Sequence, residues 1–403
     1  MPTLGINSII NLRDFHVVGI RFKTQIQAFY QGGRPISCAH CGEACGFRVK
    51  ERSERKFKHT RCAGQVLTVQ AAITKWNCNA CKRTFSDRIP GVLPRKRSSE
   101  NYRNEVYSDH EQGISKKDLS VSRQISSSTV ERWYHDFLEY RVKELSGRKA
   151  PMVLGIDEHF FTKKQGYATT FVDLKNHKVF DVVLGRSEAS LEGFLAKLPG
   201  KENVRVVVID LSETYRSIVK KHFPNAKIVT DRFHVVRLIN HHFLKLWREL
   251  DPERSKNRGL LSLMRRHEFN LDSDQKLKLA SYLKEVPALE VIYDFKTRLM
   301  ELMRIKSINH EQAKWRIPEL LQMLKELKNS PFIQMKIIGD TLTRWLPEIG
   351  RMWRFTKTNS ITEGFHTKME MISRRAYGFR NFKNYRLRVI ALCGWSGVFV
   401  RRN

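Results

Sequence analysis

Two short apolar runs between residues 150 and 210 each lead into an aspartate, and they constrain the fold more than any other feature. VLGIDEHFF contains Asp157 and VRVVVID ends in Asp210, while KIVTDRFHVV predicts a further strand that runs into a helix. Uninterrupted apolar runs of this length predict strands buried on both faces, in the middle of a sheet. GYATTFVDL and KVFDVVLG add two strand patterns that form a meander. The sequence therefore predicts an α/β domain with three strands, a helix, a strand, a helix and a strand.

Two helical segments separate the strands. SEASLEGFLAKL places its large apolar side chains on one stripe, namely Leu191, Phe194, Leu195 and Leu198. SETYRSIVKKHF follows Asp210, and Ser212 is expected to cap it, because serine oxygens accept the free N–H groups of a first turn.

Aspartates at the ends of two neighbouring strands meet at one edge of a sheet. Mg²⁺ prefers oxygen ligands, and two such ions about 3.5–4 Å apart can act on both oxygens of a phosphodiester displacement. Asp157 and Asp210 are therefore candidate catalytic residues and Mg²⁺ ligands.

A third carboxylate normally completes such a site, and Glu363 is the candidate. In NSITEGFHTKMEMI one helical face carries Ile361, Phe365 and Ile372, and the opposite face carries Glu363, His366 and Glu370. The alternative is a solvated surface glutamate, which is the fate of most glutamates. Asp231 and His234, three residues apart, could support a metal site, orient a phosphate or cap a helix.

Two C-x-x-C pairs near the N-terminus predict a zinc ribbon. Cys38 and Cys41 form the first pair, and Cys78 and Cys81 form the second. This spacing lets four thiolates bind one structural Zn²⁺, and the stretch between the pairs is typical of a β-hairpin. A redox pair is the alternative. Cys45, Cys62, His40 and His59 could each substitute as a ligand, and Cys393 is expected in a core.

The segment GISKKDLSVSRQISSSTVERWYHDFL predicts a helix-turn-helix. Its second helix has one apolar face, made by Val130, Trp133, Tyr134 and Phe137. Ser128 and Glu131 fit a capping box at its start. The polar face holds Ser127, Thr129, Arg132 and His135, which could contact DNA in a major groove. An ordinary helical hairpin is the alternative, because Arg123-Gln124-Ile125 occupies the turn where a glycine is common.

The charge of the chain favours a polyanionic partner. The formal net charge is +32 over 403 residues, so many basic side chains have no acidic counterpart. The apolar stretch from Val389 to Val400 is shorter than the roughly 20 residues that a membrane helix needs. Paired cysteines suit a reducing cytosol. We therefore expect a DNA-binding protein of the bacterial cytoplasm, associated with the nucleoid, with no membrane partner.

Over nearly its whole length the sequence resembles the ISL3 family of insertion-sequence transposases. The resemblance begins at Asn11-Leu12 and includes GIDEHFFTKKQGYAT, VVVIDLSETYRSIVKKHFPNAKIVTDRFHVV and TNSITEGFHTKMEMISRRAYGFRNFKNYRLRVI. It implies a cut-and-paste enzyme with an RNase-H-like DDE core in which Asp157, Asp210 and Glu363 are the three acids. Asp157 and Asp210 would share one Mg²⁺ or Mn²⁺, and Asp157 and Glu363 a second. Asp231 and His234 resemble the D-x-x-H motif of related transposases.

The expected architecture is multidomain α/β. Residues 1–95 are predicted to form the zinc ribbon, 98–145 the helix-turn-helix, 150–240 the first part of the core, 241–355 a helical insertion, and 356–403 the C-terminal helices of the core. Arg374, Arg375 and Arg380 follow the third acid and are candidate phosphate contacts; solvated arginines are the alternative.

The expected partners are the terminal inverted repeats and the target DNA, bound by a homodimer or a larger assembly. A transposase-derived DNA-binding regulator without cleavage activity and a resolvase-like nuclease are the competing hypotheses. The three acids argue against the first, and the N-terminal domains argue against the second.

Overall fold

The computed structural model of the protein describes residues 15–21, 25–30, 36–44, 46–62, 64–145, 147–355 and 360–394. Asn11, Leu12 and Cys45 lie outside these ranges. The chain divides into two compact units, with the boundary between Glu144 and Leu145.

A long hairpin dominates the first unit. Its strands are β1 (Phe15–Arg21), β2 (Gln25–Tyr30), β3 (Phe47–Cys62), β4 (Gln65–Cys78) and β5 (Thr84–Ser86). The sheet order is β1-β2-β4-β3, with β5 also paired to β4. β3 and β4 pair antiparallel from Phe47 opposite Cys78 to Cys62 opposite Gln65. The hairpin predicted between the two C-x-x-C pairs is thus present, and it brings the two pairs together at its open end.

Three helices follow the hairpin, α1 (Glu100–Glu111), α2 (Lys116–Ser122) and α3 (Ser127–Leu145). The predicted apolar face of α3 is buried: the exposed fractions of Val130, Trp133, Tyr134 and Phe137 are 0%, 6%, 5% and 2%. Val66 of the hairpin lies in the same core as Val130 and Trp133, so the helices pack on the sheet.

The start of α3 differs from the prediction. Ser126, and not Ser128, accepts the backbone N–H of Thr129 at 3.2 Å, and the side chain of Glu131 instead pairs with Lys116 at 2.8 Å. Three consecutive serines can each cap a helix, and only the first is placed one turn before a free N–H group. Gln124 adopts φ +50° in the preceding turn, so a side chain other than glycine takes the left-handed conformation there.

The second unit is built on one mixed sheet. Its strands are β6 (Val153–Thr162), β7 (Gly166–Asp173), β8 (Lys178–Leu184), β9 (Val206–Ile209) and β10 (Lys227–Thr230), in the order β10-β9-β6-β7-β8. β6, β7 and β8 form the antiparallel meander, and β9 and β10 extend it in parallel from β6. All four residues of β9 are buried. The predicted order of strands and helices and the central place of β6 are confirmed.

Helices α4 (Glu188–Lys197) and α5 (Glu213–His222) share a core with the sheet. The buried side chains of α4 are Leu191 and Leu195, as its stripe predicts. The backbone N–H of Tyr215 donates to Ser212 Oγ at 3.4 Å, which confirms the predicted cap.

A large helical layer continues that core. Its helices are α6 (Arg232–Leu250), α7 (Arg258–Arg265), α8 (Ser273–Lys284), α9 (Pro287–Arg304), α10 (His310–Asn329), α11 (Ile333–Arg344) and α12 (Leu346–Met352). α6 runs without a break across residue 240, where the insertion was expected to begin. The buried Arg232 at its start donates to the carbonyl oxygens of Met303, Ile305 and Met352 at 2.7–2.9 Å. One side chain thereby ties the end of the sheet to α9 and α12.

Two helices close the unit, α13 (Ser360–Arg375) and α14 (Phe382–Val389). Met369 and Ile372 of α13 pack with Val179 and Val182 of β8 in a second core, separate from that of α4 and α5. Cys393 lies in this core, as expected. None of the described helices is long and apolar enough to cross a membrane.

Candidate active site

Three aspartates lie side by side at one edge of the sheet. In the parallel register Gly155 of β6 is opposite Val208 of β9, and Thr230 of β10 is opposite Ile209. Continuing these registers by two residues and by one places Asp157, Asp210 and Asp231 in a row, on strands roughly 4.8 Å apart. The carboxyl ends of parallel strands therefore bring the predicted pair together and add Asp231.

One detail of the prediction is wrong. Asp157 does not end its strand, because β6 continues to Thr162. Its pairing with β9 ends at Gly155, however, since β9 itself ends at Ile209. Beyond that point β6 pairs only with β7. Asp157 therefore stands where the parallel part of the sheet ends, and this places it beside Asp210.

Desolvation and neighbouring negative charge make Asp157 and Asp210 costly to ionise. Asp157 is 6% exposed, and desolvation followed by the nearby carboxylates of Asp210, Asp231 and Glu363 raises its pKa to about 7. Desolvation also raises the pKa of Asp210 to about 6, and the carboxylates of Glu158 and Asp231 add to the rise. Both values lie above the usual aspartate range of about 4, which is the sign of negative charges held close together out of water.

The first turn of α13 brings Glu363 to the same place. Its carboxylate is close enough to raise the pKa of Asp157. One turn later His366 Nδ1 lies 3.9 Å from Asp157 Oδ2. Glu370, which the sequence placed on the same polar face, turns to solvent and pairs with Arg374 at 2.7 Å. The structure thus brings Glu363 and His366 to the aspartates, and Glu370 does not take part.

A hydrogen-bond network of buried and half-buried side chains supports this side of the site. His159 Nδ1 and His366 Nε2 lie 2.9 Å and 3.2 Å from Thr170 Oγ1, and the Tyr385 hydroxyl lies 2.9 Å from His159 Nε2. Burial lowers the pKa of His366 to about 4 and, together with the charge of His366, that of His159 to about 3, so both rings are neutral at pH 7. The network joins β6, β7, α13 and α14, and it fixes the helix that carries Glu363.

Sequence reasoning missed most of this network. His159 stands two residues after Asp157. Residues two apart on a strand point to the same face, and this spacing was the only sign in the sequence that His159 lies beside the acid. Thr170 lies opposite Asp157 in the antiparallel register. Tyr385 is 226 residues away from its partner His159, and nothing in the local pattern connects them.

Asp231 and His234 belong to the same site. Asp231 is fully buried at the N-cap position of α6, but its side chain makes no capping hydrogen bond. His234 Nε2 lies 3.8 Å from Asp231 Oδ2, and the charge of a protonated His234 lowers the pKa of Asp210. The simple capping alternative for Asp231 is therefore wrong.

The donor set fits a hard divalent cation. The Oδ1 atom of Asp210 is buried and has no hydrogen-bond partner among the residues that the structure describes. Buried polar atoms are normally satisfied, so an orphaned carboxylate oxygen beside other carboxylates calls for a positive ligand. Carboxylate oxygens are what Mg²⁺ and Mn²⁺ bind.

A second cluster of metal-ligating side chains lies in the first unit. The sulfur atoms of Cys38, Cys41, Cys78 and Cys81 all lie within 4.8 Å of one another. Cys38 and Cys81 are 3.8 Å apart, as are Cys41 and Cys78. This arrangement is compatible with a zinc ribbon.

The imidazole rings of the two spare histidines contact groups other than the four cysteines. His40 Nε2 lies 3.2 Å from the carbonyl oxygen of Thr84, and the buried His59 bonds Ser99 at 2.7 Å. Cys45 and the side chain of Cys62 lie outside what the structure describes. The two histidines therefore have other partners.

The candidate DNA contacts occupy two surfaces. Ser127 and Arg132 are exposed on α3, and Thr129 is half-buried beside them. Arg374, Arg375 and Arg380 are exposed at and after the end of α13. Arg374 is partly neutralised by Glu370.

Comparison with known proteins identifies the family of the chain. Residues 154–389 match the model of a protein family described as Transposase, the ISL3 group with a DDE domain. Over 248 residues the chain is 27% identical to the transposase for insertion sequence element IS1001 of Bordetella parapertussis. That match covers 59% of this chain and 60% of the relative's length. Asp157, Asp210, Asp231 and Glu363 all lie within the matched residues 154–389 of this chain.

Proposed function

The chain belongs to the ISL3 family of transposases, and we propose that it is a DDE transposase that cuts and joins DNA at the ends of its insertion sequence. The observation that carries this proposal is the cluster of Asp157, Asp210 and Glu363. Asp157 is buried and Asp210 half-buried, the pKa of each is raised, and the nearby Glu363 contributes to the rise at Asp157. Carboxylates held together at this cost are what a metal-dependent phosphoryl transfer needs. The sheet order β10-β9-β6-β7-β8, with the acids at one edge, supports an RNase-H-like core.

In this mechanism the protein mainly positions groups. Asp157, Asp210 and Glu363 would hold Mg²⁺ or Mn²⁺, which supplies Lewis-acid activation of the attacking and leaving oxygens. Asp231 adds negative charge behind Asp210 and keeps His234 beside the site. The neutral His366, fixed by Thr170, leaves the carboxylate of Asp157 available for a cation. These residues orient the reaction, and the reacting groups belong to DNA and water.

The first unit would recognise the DNA. The cysteine cluster holds a structural Zn²⁺ in this proposal, because a module this small gains folding energy from a metal. Ser127, Thr129 and Arg132 of α3 would read bases in a helix-turn-helix. The net charge of +32 supports phosphate binding along the whole chain.

The end of α13 would contact phosphates near the scissile strand. Arg375 and Arg380 are exposed there, and Arg374 becomes available if its pair with Glu370 opens. Such contacts position DNA without reading its sequence. A homodimer or larger assembly on DNA follows from the need to process two ends together.

The test is cleavage of labelled DNA that carries the ends of the insertion sequence, with and without Mg²⁺. We expect cutting at the end by the wild type and none by Asp210→Asn, with end binding nearly unchanged. Asp340→Asn is the matched control, because Asp340 is an exposed aspartate of α11. This variant should cleave the DNA at the wild-type rate.

Two outcomes would contradict the proposal. Tight end binding without cleavage under Mg²⁺ or Mn²⁺ would favour the DNA-binding regulator. Loss of end binding in Asp210→Asn would assign the acids a structural role.

A further inference from the structure

A groove of about 660 Å³ opens beside Asp210. One face of α6 forms its floor, and Arg265 of α7 contributes to its edge. Phe233 lines the groove together with the acid Asp210, and the other lining side chains are apolar or polar residues and three arginines, Arg237, Arg248 and Arg265. The site described above uses Asp210 and His234 of this groove and leaves its other side chains without a role.

Phe233 exposes an aromatic ring where a folded protein has no need of one. Its side chain is 50% exposed, although its neighbours Asp231 and Arg232 are buried. The ring lies 5.6 Å from that of His234, edge to face, so its orientation is fixed by a residue of the site. An apolar ring held open at the edge of a charged groove offers a flat surface for a nucleobase.

The cations follow the groove away from Phe233. Arg237, His241 and Arg248 recur on one face of α6, at helical spacing. All three side chains are exposed, as is that of Arg265. Among the residues that the structure describes, Arg237, Arg248 and Arg265 have no acidic partner. From residue 237 to residue 248 the helix rises about 16 Å, a length that several successive phosphates of one DNA strand can follow. A single nucleotide would be too short to use this row.

We propose that this groove binds a locally unpaired DNA strand next to the scissile phosphate, with Phe233 stacked on one of its bases. Arg237, Arg248 and Arg265 pair with the phosphates that follow. The base must be unpaired, because base faces inside a duplex are covered by their neighbours. This inference rests on the proposed function, since it needs DNA at the acids, and it adds the form of the DNA that the site accepts.

The test measures binding by the full-length protein in buffer without divalent ions. The probes are a blunt duplex and the same duplex with a single-stranded tail of about six nucleotides, the length that the row of arginines can follow. We expect the wild type to favour the tailed probe by at least about 5-fold, because stacking of one base contributes that much and the arginines add to it.

Substitutions separate stacking from charge. Phe233→Ala should lower the ratio of the two affinities by about 5- to 150-fold, the range for stacking of one base on an aromatic ring, and Phe233→Trp should keep the ratio. Phe269→Ala is the matched control, because Phe269 is 84% exposed in the same unit and does not line the groove. Arg248→Gln should reduce the salt dependence of tailed-probe binding by roughly 0.7 in log–log slope. A 5-iodouracil placed in the tail should crosslink to Phe233 on irradiation.

Two results would overturn the inference. One is an unchanged preference for the tailed probe in Phe233→Ala; the other is an equal loss for both probes, which would mean a duplex contact. Because binding is read without divalent ions, a failure of cleavage in the earlier assay leaves this result intact. A Phe233-dependent tail preference without any cleavage would support the groove and refute the transposase chemistry.

Discussion

Lys296 of α9 is a buried cation that pairs with no carboxylate among the residues that the structure describes, and it should make the stability of the second unit depend on pH. Its side chain is 2% exposed. The ammonium donates to the carbonyl oxygen of Met264 at 2.6 Å and lies 4.6 Å from the ring centroids of Phe243 and Tyr293. Burial, with a smaller contribution from the charge of Arg304, lowers the pKa of Lys296 from 10.5 to about 7.

The sign of the effect follows from that direction. Above pH 7 the unfolded chain holds a proton on Lys296 that the folded chain has lost, so the free energy of unfolding rises with pH up to about 10.5. Below pH 7 Lys296 is protonated in both the folded and the unfolded state, and the burial of its charge then lowers the free energy of unfolding by the full amount of about 5 kcal/mol. Between pH 7 and pH 9 the folded state should regain about 2 kcal/mol.

Thermal midpoints of the wild type and Lys296→Met at pH 7 and pH 9 would measure this effect. Methionine keeps the length and volume of the stem and cannot titrate. From pH 7 to pH 9 the thermal midpoint of the wild type should rise by about 4–8 °C relative to the midpoint of Lys296→Met. The exposed Lys336 of α11 provides the control, since Lys336→Met should follow the wild type. A constant difference between the wild type and Lys296→Met would refute the lowered pKa.

Three further predictions concern the acids and the helical layer. Glu363→Gln should reduce the rate of end cleavage at least about 100-fold, a larger loss than is typical when a residue that only supports a metal ligand is replaced. In the same assay Glu370→Gln should cleave within about twofold of the wild-type rate, because Glu370 faces solvent. Without divalent ions Asp157→Asn should raise the thermal midpoint by at least about 2 °C, because it removes one of several repelling carboxylates. With Mg²⁺ the variant should lack the further rise of the midpoint that the wild type shows. A midpoint below that of the wild type without divalent ions would contradict the repulsion. Gly339→Ala should lower the free energy of unfolding in denaturant by about 1–3 kcal/mol, because the new Cβ would lie 2.9 Å from that of Leu327 and 3.0 Å from the backbone nitrogen of Lys328. Gly350→Ala, with nothing within 4 Å of the new Cβ, should raise the free energy of unfolding by up to about 1 kcal/mol. Equal effects of the two substitutions would mean that α10 can move away.

The sheet was predictable because its strands are apolar on both faces. Val206 to Ile209 cannot be a surface strand, so the polar residue that ends the run must stand at a sheet edge. The same logic located Asp157, although the strand proved longer than its apolar part. Pairing with β7 alone sustains the strand beyond Asp157, and such pairing depends on partners that a local pattern does not reveal.

The support of the site was not predictable for a different reason. His159, Thr170 and Tyr385 are ordinary residues in their own segments, and they gain a role only when α14 packs against β6. Lys296 was equally hidden, because one lysine on an amphipathic helix is expected to reach solvent. Its burial results from the layering of α6 and α9, which no spacing within α9 reports.

The acids and the groove beside them differ in how visible they are to sequence reasoning, and the difference is physical. A carboxylate at the end of a buried strand conflicts with stability, so its presence demands an explanation in function. Phe233, Arg237 and Arg248 conflict with nothing, since an exposed ring and solvated arginines are normal on a helix. Only the shape of the surface joins them into one groove with Asp210. Residues that cost stability can therefore be assigned a role from the sequence, whereas residues that bind at little cost to stability need the three-dimensional structure.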